Sequence, residues 1–252
     1  MIIQMSGLII GANRYRVRNM SGGSVYLLQK TDEDQTNMIG LEMKRLDMEY
    51  ILLDTLVNFK LPSFFDLQVD ASRGGQDEAK LHLESVTQVY TDRQKNIDEF
   101  VKYFEESIST QNPLNKFSKD KFIAPSLCLS ATSYNMQDEG ISGGRVYVCQ
   151  MTKPDNKDQI GMEVMKLRIT LQLYELLKVY GLPGYYDLKI IMERGSRDKA
   201  RFRVQDVLSE NNLTQELLLS TFGLKQLTTS QATSKTTVNT TGGLDLKETK
   251  KD

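Results

Sequence analysis

The chain repeats itself. Residues 21–86 align without a gap on residues 142–207 at a constant offset of 121, with 23 of the 66 aligned positions identical. Gly23-Ser24-Val25-Tyr26 corresponds to Gly144-Arg145-Val146-Tyr147. Leu61-Pro62-Ser63-Phe64-Phe65-Asp66-Leu67 corresponds to Leu182-Pro183-Gly184-Tyr185-Tyr186-Asp187-Leu188. A repeat this long exceeds a solenoid unit, so each copy is expected to be a small fold with its own core. The 252 residues then divide into a first domain (1–90), a helical connector (91–122), a second domain (123–210), a short C-terminal helix (211–224) and a tail (225–252).

Within each copy the hydrophobic period changes in the same order. In the first, residues 2–18 read as a strand broken at Gly7 and Gly11, followed by a turn at Ser21-Gly22-Gly23 and strands at 24–30 and 39–44. Leu52, Leu53, Leu56, Val57 and Phe59 recur at helical spacing and predict a helix over 46–59, stopped by Leu61-Pro62. Phe65, Leu67 and Val69 alternate as a fourth strand, and 79–86 forms a fifth. The second copy gives strands at 126–134, 145–151 and 160–166. A helix follows, with Ile169, Leu173, Leu176, Leu177 and Tyr180 on one face and Gly181 at its end, then strands at 185–192 and 200–207. The predicted fold class is mainly β with helices. It comprises two tandem OB-fold-like five-stranded barrels, each with a helix between strands three and four, joined by a connector helix. The connector is read from Ile97, Phe100, Val101, Phe104 and Ile108 at helical spacing over 92–109. Residues 212–222 are expected to be helical, and the polar run from Gln226 onward to be disordered.

Bulk charge argues against binding by electrostatics alone. Net charge is −1, without the strong basic excess typical of avid nucleic-acid binders. The copies differ: residues 1–90 hold nine basic and twelve acidic side chains, residues 125–208 twelve and ten. Cys128 and Cys149 both lie in the second copy with no counterparts in the first, so they are read as reduced, partly buried thiols of a cytoplasmic protein rather than a disulfide framework. No apolar run approaches the roughly 20 residues a membrane helix requires, so no membrane partner is expected.

Enzyme chemistry finds few footholds. The single histidine, His82, alternates with Leu81 and Leu83 on a predicted strand, and its counterpart is Arg203. Asp66 and Asp187 recur behind the Leu-Pro motif, one carboxylate per copy without a paired base. There is no Cys/His metal spacing, no phosphate-cradling glycine loop ending in Lys-Ser/Thr, and no nucleophile elbow. No catalytic residue, metal or cofactor is predicted.

The alternation of the strands points instead to binding. In Arg145-Val146-Tyr147-Val148, the valines share one face and Arg145 and Tyr147 the other. With the valines in a barrel core, a ring and a cation stand together outside. That is the pairing a single strand needs, rings stacking on bases and cations meeting phosphates. Tyr26 offers the same ring upstream, with Arg14, Arg16 and Arg18 on the preceding strand or hairpin as phosphate contacts. In the last strand Arg201 and Arg203 oppose Phe202 and Val204, and with Arg194, Arg197 and Lys199 they form a basic run around the final hairpin. The first copy has only Arg73 and Lys80 there, among Asp77 and Glu78, so unequal binding is expected.

Gly144-Arg145-Val146-Tyr147 and Pro183-Gly184-Tyr185-Tyr186, followed by a glycine hairpin, resemble motifs of the single-stranded DNA-binding (helix-destabilising) proteins of filamentous bacteriophages. The resemblance implies that Tyr147 is a stacking tyrosine and Arg145 its adjacent cation, with Tyr26 in the matching place. It also implies coating of single-stranded DNA during replication and self-association along it. Ser24 and Ser63 depart from the pattern in the first copy, and the phage proteins are short single domains that dimerise. RNA is the alternative ligand. The alternative function is a protein-interaction module with the barrels as scaffold and the tail recruiting other proteins.

Overall fold

The computed structural model describes residues 1–31, 34–74, 79–89, 94–110, 121–136, 140–152, 155–194, 200–211 and 219–220. Ten strands and three helices follow in the order β1 (Ile2–Val17), β2 (Met20–Lys30), β3 (Met38–Met48), α1 (Leu52–Leu56), β4 (Ser63–Arg73), β5 (Ala79–Gln88), α2 (Gln94–Thr110), β6 (Lys121–Met136), β7 (Ile141–Met151), β8 (Gln159–Ile169), α3 (Leu171–Tyr180), β9 (Gly184–Arg194) and β10 (Ala200–Asn211). The chain is mainly β. β1 pairs with β2 and β4, β2 with β3, β4 with β5, and β3 closes on β5 in parallel at Asp47–His82. β6 to β10 repeat the pattern, closing in parallel at Arg168–Arg203. Each copy is thus a ring of five strands.

Every ring is filled by one side of its strands. Val25, Leu27, Leu46, Met48, Phe65, Leu67, Val69 and Leu83 point into the first ring, and Val146, Val148, Leu167, Tyr186, Leu188 and Val204 into the second. A third core lies between the rings. Leu8, Ile10, Leu28 and Leu41 of the first meet Leu127, Leu129, Cys149 and Met162 of the second. Ile97, Phe100 and Val101 of α2 close this layer from one side. Burying one such side chain contributes about 1.5–3 kcal/mol relative to leaving it exposed, so the rings are held back to back by apolar burial.

Backbone pairing completes the join. β1 pairs with β8 at Gly11–Gly161, Ala12–Ile160 and Asn13–Gln159, and β3 with β6 at Gly40–Ser130, Ile39–Ala131 and Met38–Thr132. These ladders are related by the internal repeat. Two hydrogen bonds extend them symmetrically, Arg14 N donating to Asp158 O (2.8 Å) and Ser133 N to Asn37 O (2.9 Å). Gly40 and Gly161 hold φ of 89° and 71° at the two crossings. A Cβ on Gly40 would meet Leu129 O at 2.3 Å, and one on Gly161 would meet Ile10 O at 2.4 Å.

Several local expectations are corrected. β1 runs unbroken through Gly7 and Gly11, with a register shift between Ile9 and Gly11. The chain reverses at Arg18-Asn19, with Arg18 at φ 53°, so Ser21-Gly22-Gly23 belongs to β2 rather than to a turn. The helix expected over 46–59 shrinks to one turn, because Leu46 and Met48 pair in the β2–β3 ladder and point into the core. Its N-terminus carries no side-chain cap. In the longer α3, Thr170 Oγ1 accepts from Leu173 N at 3.2 Å, and the aligned residue upstream is Glu49. Phe202, which alternation groups with the buried Val204, lies near the β9–β10 hairpin end opposite Met192 and is half open to solvent. The cysteines are fully rather than partly buried, Cys128 inside the second ring and Cys149 in the layer between the rings. The expected C-terminal helix lies outside the described residues apart from 219–220, and the tail wholly so.

Two tests follow from this packing. Gly161→Ala combines a left-handed φ with a backbone clash and is expected to cost at least about 2 kcal/mol in urea denaturation. Gly140→Ala, at φ 63° in open space, is expected to cost only about 1–2 kcal/mol. Burial pushes both thiols well above their ordinary range, so an aromatic disulfide reagent at pH 8 is expected to label neither cysteine in the native protein and both in urea.

Candidate nucleic-acid interface

The back-to-back join uses only part of the outer faces of β1–β2–β3 and β6–β7–β8. Beyond the apolar layer the same faces continue into an open strip, and cross-strand register states what it carries. In the second copy, Arg145 lies opposite Thr132 and Arg168, and Tyr147 opposite Ser130 and Lys166. Tyr134 lies opposite Gly143, whose missing Cβ leaves room for the ring. The Arg145 guanidinium stands 5.9 Å from the Tyr134 ring centroid and the Lys166 ammonium 5.4 Å from that of Tyr147. Three cations and two rings therefore share one strip, and no carboxylate occupies its register positions on β7 and β8 from 143 to 147 and at 164, 166 and 168.

The first copy shares the plan with weaker charge. Tyr26 faces Arg45, and Tyr15 lies over Gly22. The partner of Ser24 on β3 is Asp47, where the second copy has Arg168. Asp47 sits 3.5 Å from Arg45 and 3.8 Å from Lys80, drawing two cations onto a carboxylate. Arg45 Nε also donates to Ser24 Oγ at 2.9 Å.

The predicted residues fall into three groups. Arg145 is exposed and Tyr147 half-buried on the open strip, with Tyr26 in the matching place at the edge of the inter-ring layer. Arg14 and Arg16 alternate with Asn13 and Tyr15 and so turn away from Tyr26. Both stand over the Tyr50 ring, at 4.6 and 4.5 Å. Arg14 is also bonded to Asp54 (2.7 Å) and Asp158 (2.9 Å), and the bond to Asp158 is the larger cause raising its pKa. Strand alternation starts Arg14 and Arg16 on the face opposite Tyr26, and only Arg14 reaches the rim of the groove that Tyr26 also lines. Arg18 is exposed in the β1–β2 turn, and Arg73 ends β4. Arg203 is half-buried with Nε 2.7 Å from Glu193 Oε1, and Arg201 is exposed two residues away. The side chain of Arg194, and all of Arg197 and Lys199, lie outside the described residues.

Arg45, Lys166, Arg168, Tyr15 and Tyr134 complete the strips and were missed from sequence. Arg45 and Lys166 are both cationic at the offset of 121, a signal obscured because the helix was placed next to Arg45. Tyr15 and Tyr134 match at 119 instead. The hairpin between β6 and β7 is two residues longer than that between β1 and β2, which puts β1 and β6 outside the gapless register.

No group of His, Cys, Asp or Glu is placed to hold a metal ion among the described residues, and no described helix is long and apolar enough to cross a membrane. No protein-family model and no curated protein matches the chain. Among solved structures, a deletion mutant of the single-stranded DNA-binding protein from Thermus aquaticus aligns over 83% of this chain and 92% of that one, at 7% identity and a TM-score of 0.25. Agreement at that level carries no weight for fold or function, and the site rests on its own geometry.

Arg14 provides a check on the separation of faces. Its partners Asp54 and Asp158 are largely exposed, so Arg14→Ala is expected to leave the urea midpoint nearly unchanged. In fluorescence anisotropy with oligo-dT it is expected to weaken binding less than Arg145→Ala does, because its charge is already engaged by Asp54 and Asp158.

Proposed function

We propose that the chain is a non-enzymatic binder of single-stranded nucleic acid, DNA before RNA, and that its main contact surface is the β6–β7–β8 strip. Each ring is read as an OB-type barrel, supported by the strand order 1-2-3-5-4, the parallel closure and the helix between the third and fourth strands. The observation that carries the reading is the carboxylate-free register of Tyr134, Arg145, Tyr147, Lys166 and Arg168 on one open face. Tyrosine rings accept any base by stacking, and the cations meet successive phosphates, which makes the main mode of binding sequence-tolerant. The β1–β2–β3 strip is the weaker contact, because Asp47 neutralises its cations. Coating of single strands during phage or mobile-element replication, with neighbouring copies associating along the strand, is the role we assign to this surface.

Titration of the intrinsic tyrosine fluorescence with oligo-dT at several salt concentrations tests the reading, since the chain has no tryptophan. Quenching is expected to saturate and to be reversed by salt. Tyr147→Ala is expected to weaken binding by about 1–3 kcal/mol. Arg145→Ala and Lys166→Ala are each expected to lower the salt slope by about one phosphate contact. Asp47→Ala is expected to tighten binding by freeing Arg45 and Lys80. Absence of quenching at low salt by the folded protein would overturn the proposal and favour a protein-interaction surface.

A further inference from the structure

The two strips differ in more than charge. Where β1 of the first ring meets β8 of the second, the chain forms a shallow groove of about 360 Å³ whose lining includes Asn13, Tyr26, Arg45, Asn156 and Gln159. That volume is at the small end of ligand sites. Three carboxamides, Asn13, Asn156 and Gln159, stand there with Tyr15 and Tyr26, and the Arg14–Asp158 ion pair, Ser24 and Arg45 complete the lining.

Hydrogen bonds orient these amides. Asn13 Nδ2 donates to the Tyr26 hydroxyl at 3.3 Å. Asn156 Nδ2 donates to Gln159 Oε1 at 3.1 Å, while Asn156 Oδ1 accepts from Asp158 N at 3.1 Å. Among the described residues nothing else bonds the Asn13 Oδ1, its second N–H or the Gln159 Nε2 hydrogens, and Asn13 and Gln159 are half-buried beside the ring. A side-chain amide offering an acceptor and a donor side by side matches the N6/N7 edge of adenine, which it can hold in two hydrogen bonds. Arg45 stands opposite Tyr26 in the β2–β3 ladder and is held by Asp47 and Ser24, which leaves recognition of the base to the amides.

The repeat sharpens the assignment. The positions equivalent to Asn13 and Gln159 across the other crossing are Thr132 and Met38, which cannot make this amide pair. Among the described residues the amide pair occurs at this crossing alone, and both rings build it.

We infer that this groove is a nucleobase site selective for adenine, set within an otherwise sequence-tolerant surface. The inference rests on the proposed single-strand binding and adds one base-reading position to it. A bound adenine would bridge Asn13 of the first copy and Gln159 of the second.

Anisotropy titrations of the full chain with dA, dT and dC oligomers of equal length, together with free dAMP as competitor, provide the test. The dA oligomer is expected to bind about fivefold or more tightly than dC, the lower bound for one good bidentate contact. Asn13→Ala and Gln159→Ala are each expected to bring the dA/dC ratio close to one. Displacement of the dA oligomer by millimolar dAMP would identify the site as one for the free nucleotide as well as the strand. Failure to displace it, with the dA preference intact, would restrict the site to the polymer. Equal affinities for dA and dC in the wild-type chain would overturn the adenine site while leaving strand binding intact. A dA preference that survives both substitutions would place base selectivity elsewhere and overturn it too. Loss of all oligomer binding in Arg145→Ala, with dA selectivity still measurable through dAMP, would separate the groove from the strip.

Discussion

The apolar layer between the rings is the contact on which everything else depends. An isolated five-stranded ring exposes the outer faces of its first three strands, and here those faces carry Leu8, Ile10, Leu28 and Leu41 in one copy and Leu127, Leu129, Cys149 and Met162 in the other. Neither set is tolerable in water as a contiguous patch, and each is covered by the other. Two short ladders fix the register of the join, and positive-φ glycines at Gly40 and Gly161 let the strands cross. The α2 connector fills the open side of the layer, so the segment linking the copies in sequence also seals them in space. Packing and backbone pairing agree on one arrangement, the consistency expected of a specified fold.

That arrangement decides which part of each outer face remains for a ligand. The apolar ends of β2 and β3, and of β7 and β8, are consumed by the join. The polar ends emerge beyond it, carrying Tyr26 and Arg45 in one copy and Arg145, Tyr147 and Lys166 in the other. Duplication then allowed the copies to diverge without disturbing the shared core. A single change of sign, Asp47 in one copy against Arg168 in the other, turns a self-neutralised surface into one that attracts anions. The amide groove at Asn13 and Gln159 is a second divergence at the same boundary. Its position at a ladder between the copies means that whatever fills it contacts both.

Much of this was legible from spacing alone, where the repeat constrained it. The constant offset revealed two copies, and the alternation of Val146 and Val148 with Arg145 and Tyr147 correctly separated core from surface. What escaped was long-range. A helix over 46–59 satisfied the local period, yet Leu46 and Met48 gain more from a ladder with Gly23 and Val25 and from core burial, and sequence spacing shows neither partner. Arg14 and Arg16 are cationic and near Tyr26 in sequence, which suggests phosphate contacts beside its ring. Strand alternation, once the register is known, turns them to Tyr50 and the acidic pair Asp54 and Asp158. Cys149 belongs to the same register as Tyr147, but an outward-facing residue is not an exposed one when a second ring covers it. The contact between copies could not be foreseen from either copy alone.

The central claim is that a single strand runs over the β6–β7–β8 strip and stacks on its tyrosines. Photo-crosslinking the full chain to a halogenated oligo-dT, followed by mass spectrometry of the adducts, reads this most directly. Adducts concentrated at Tyr134 and Tyr147, with fewer at Tyr15 and Tyr26, are the expected result. Adducts confined to the β4–β5 or β9–β10 faces, with none on these four tyrosines, would contradict the claim.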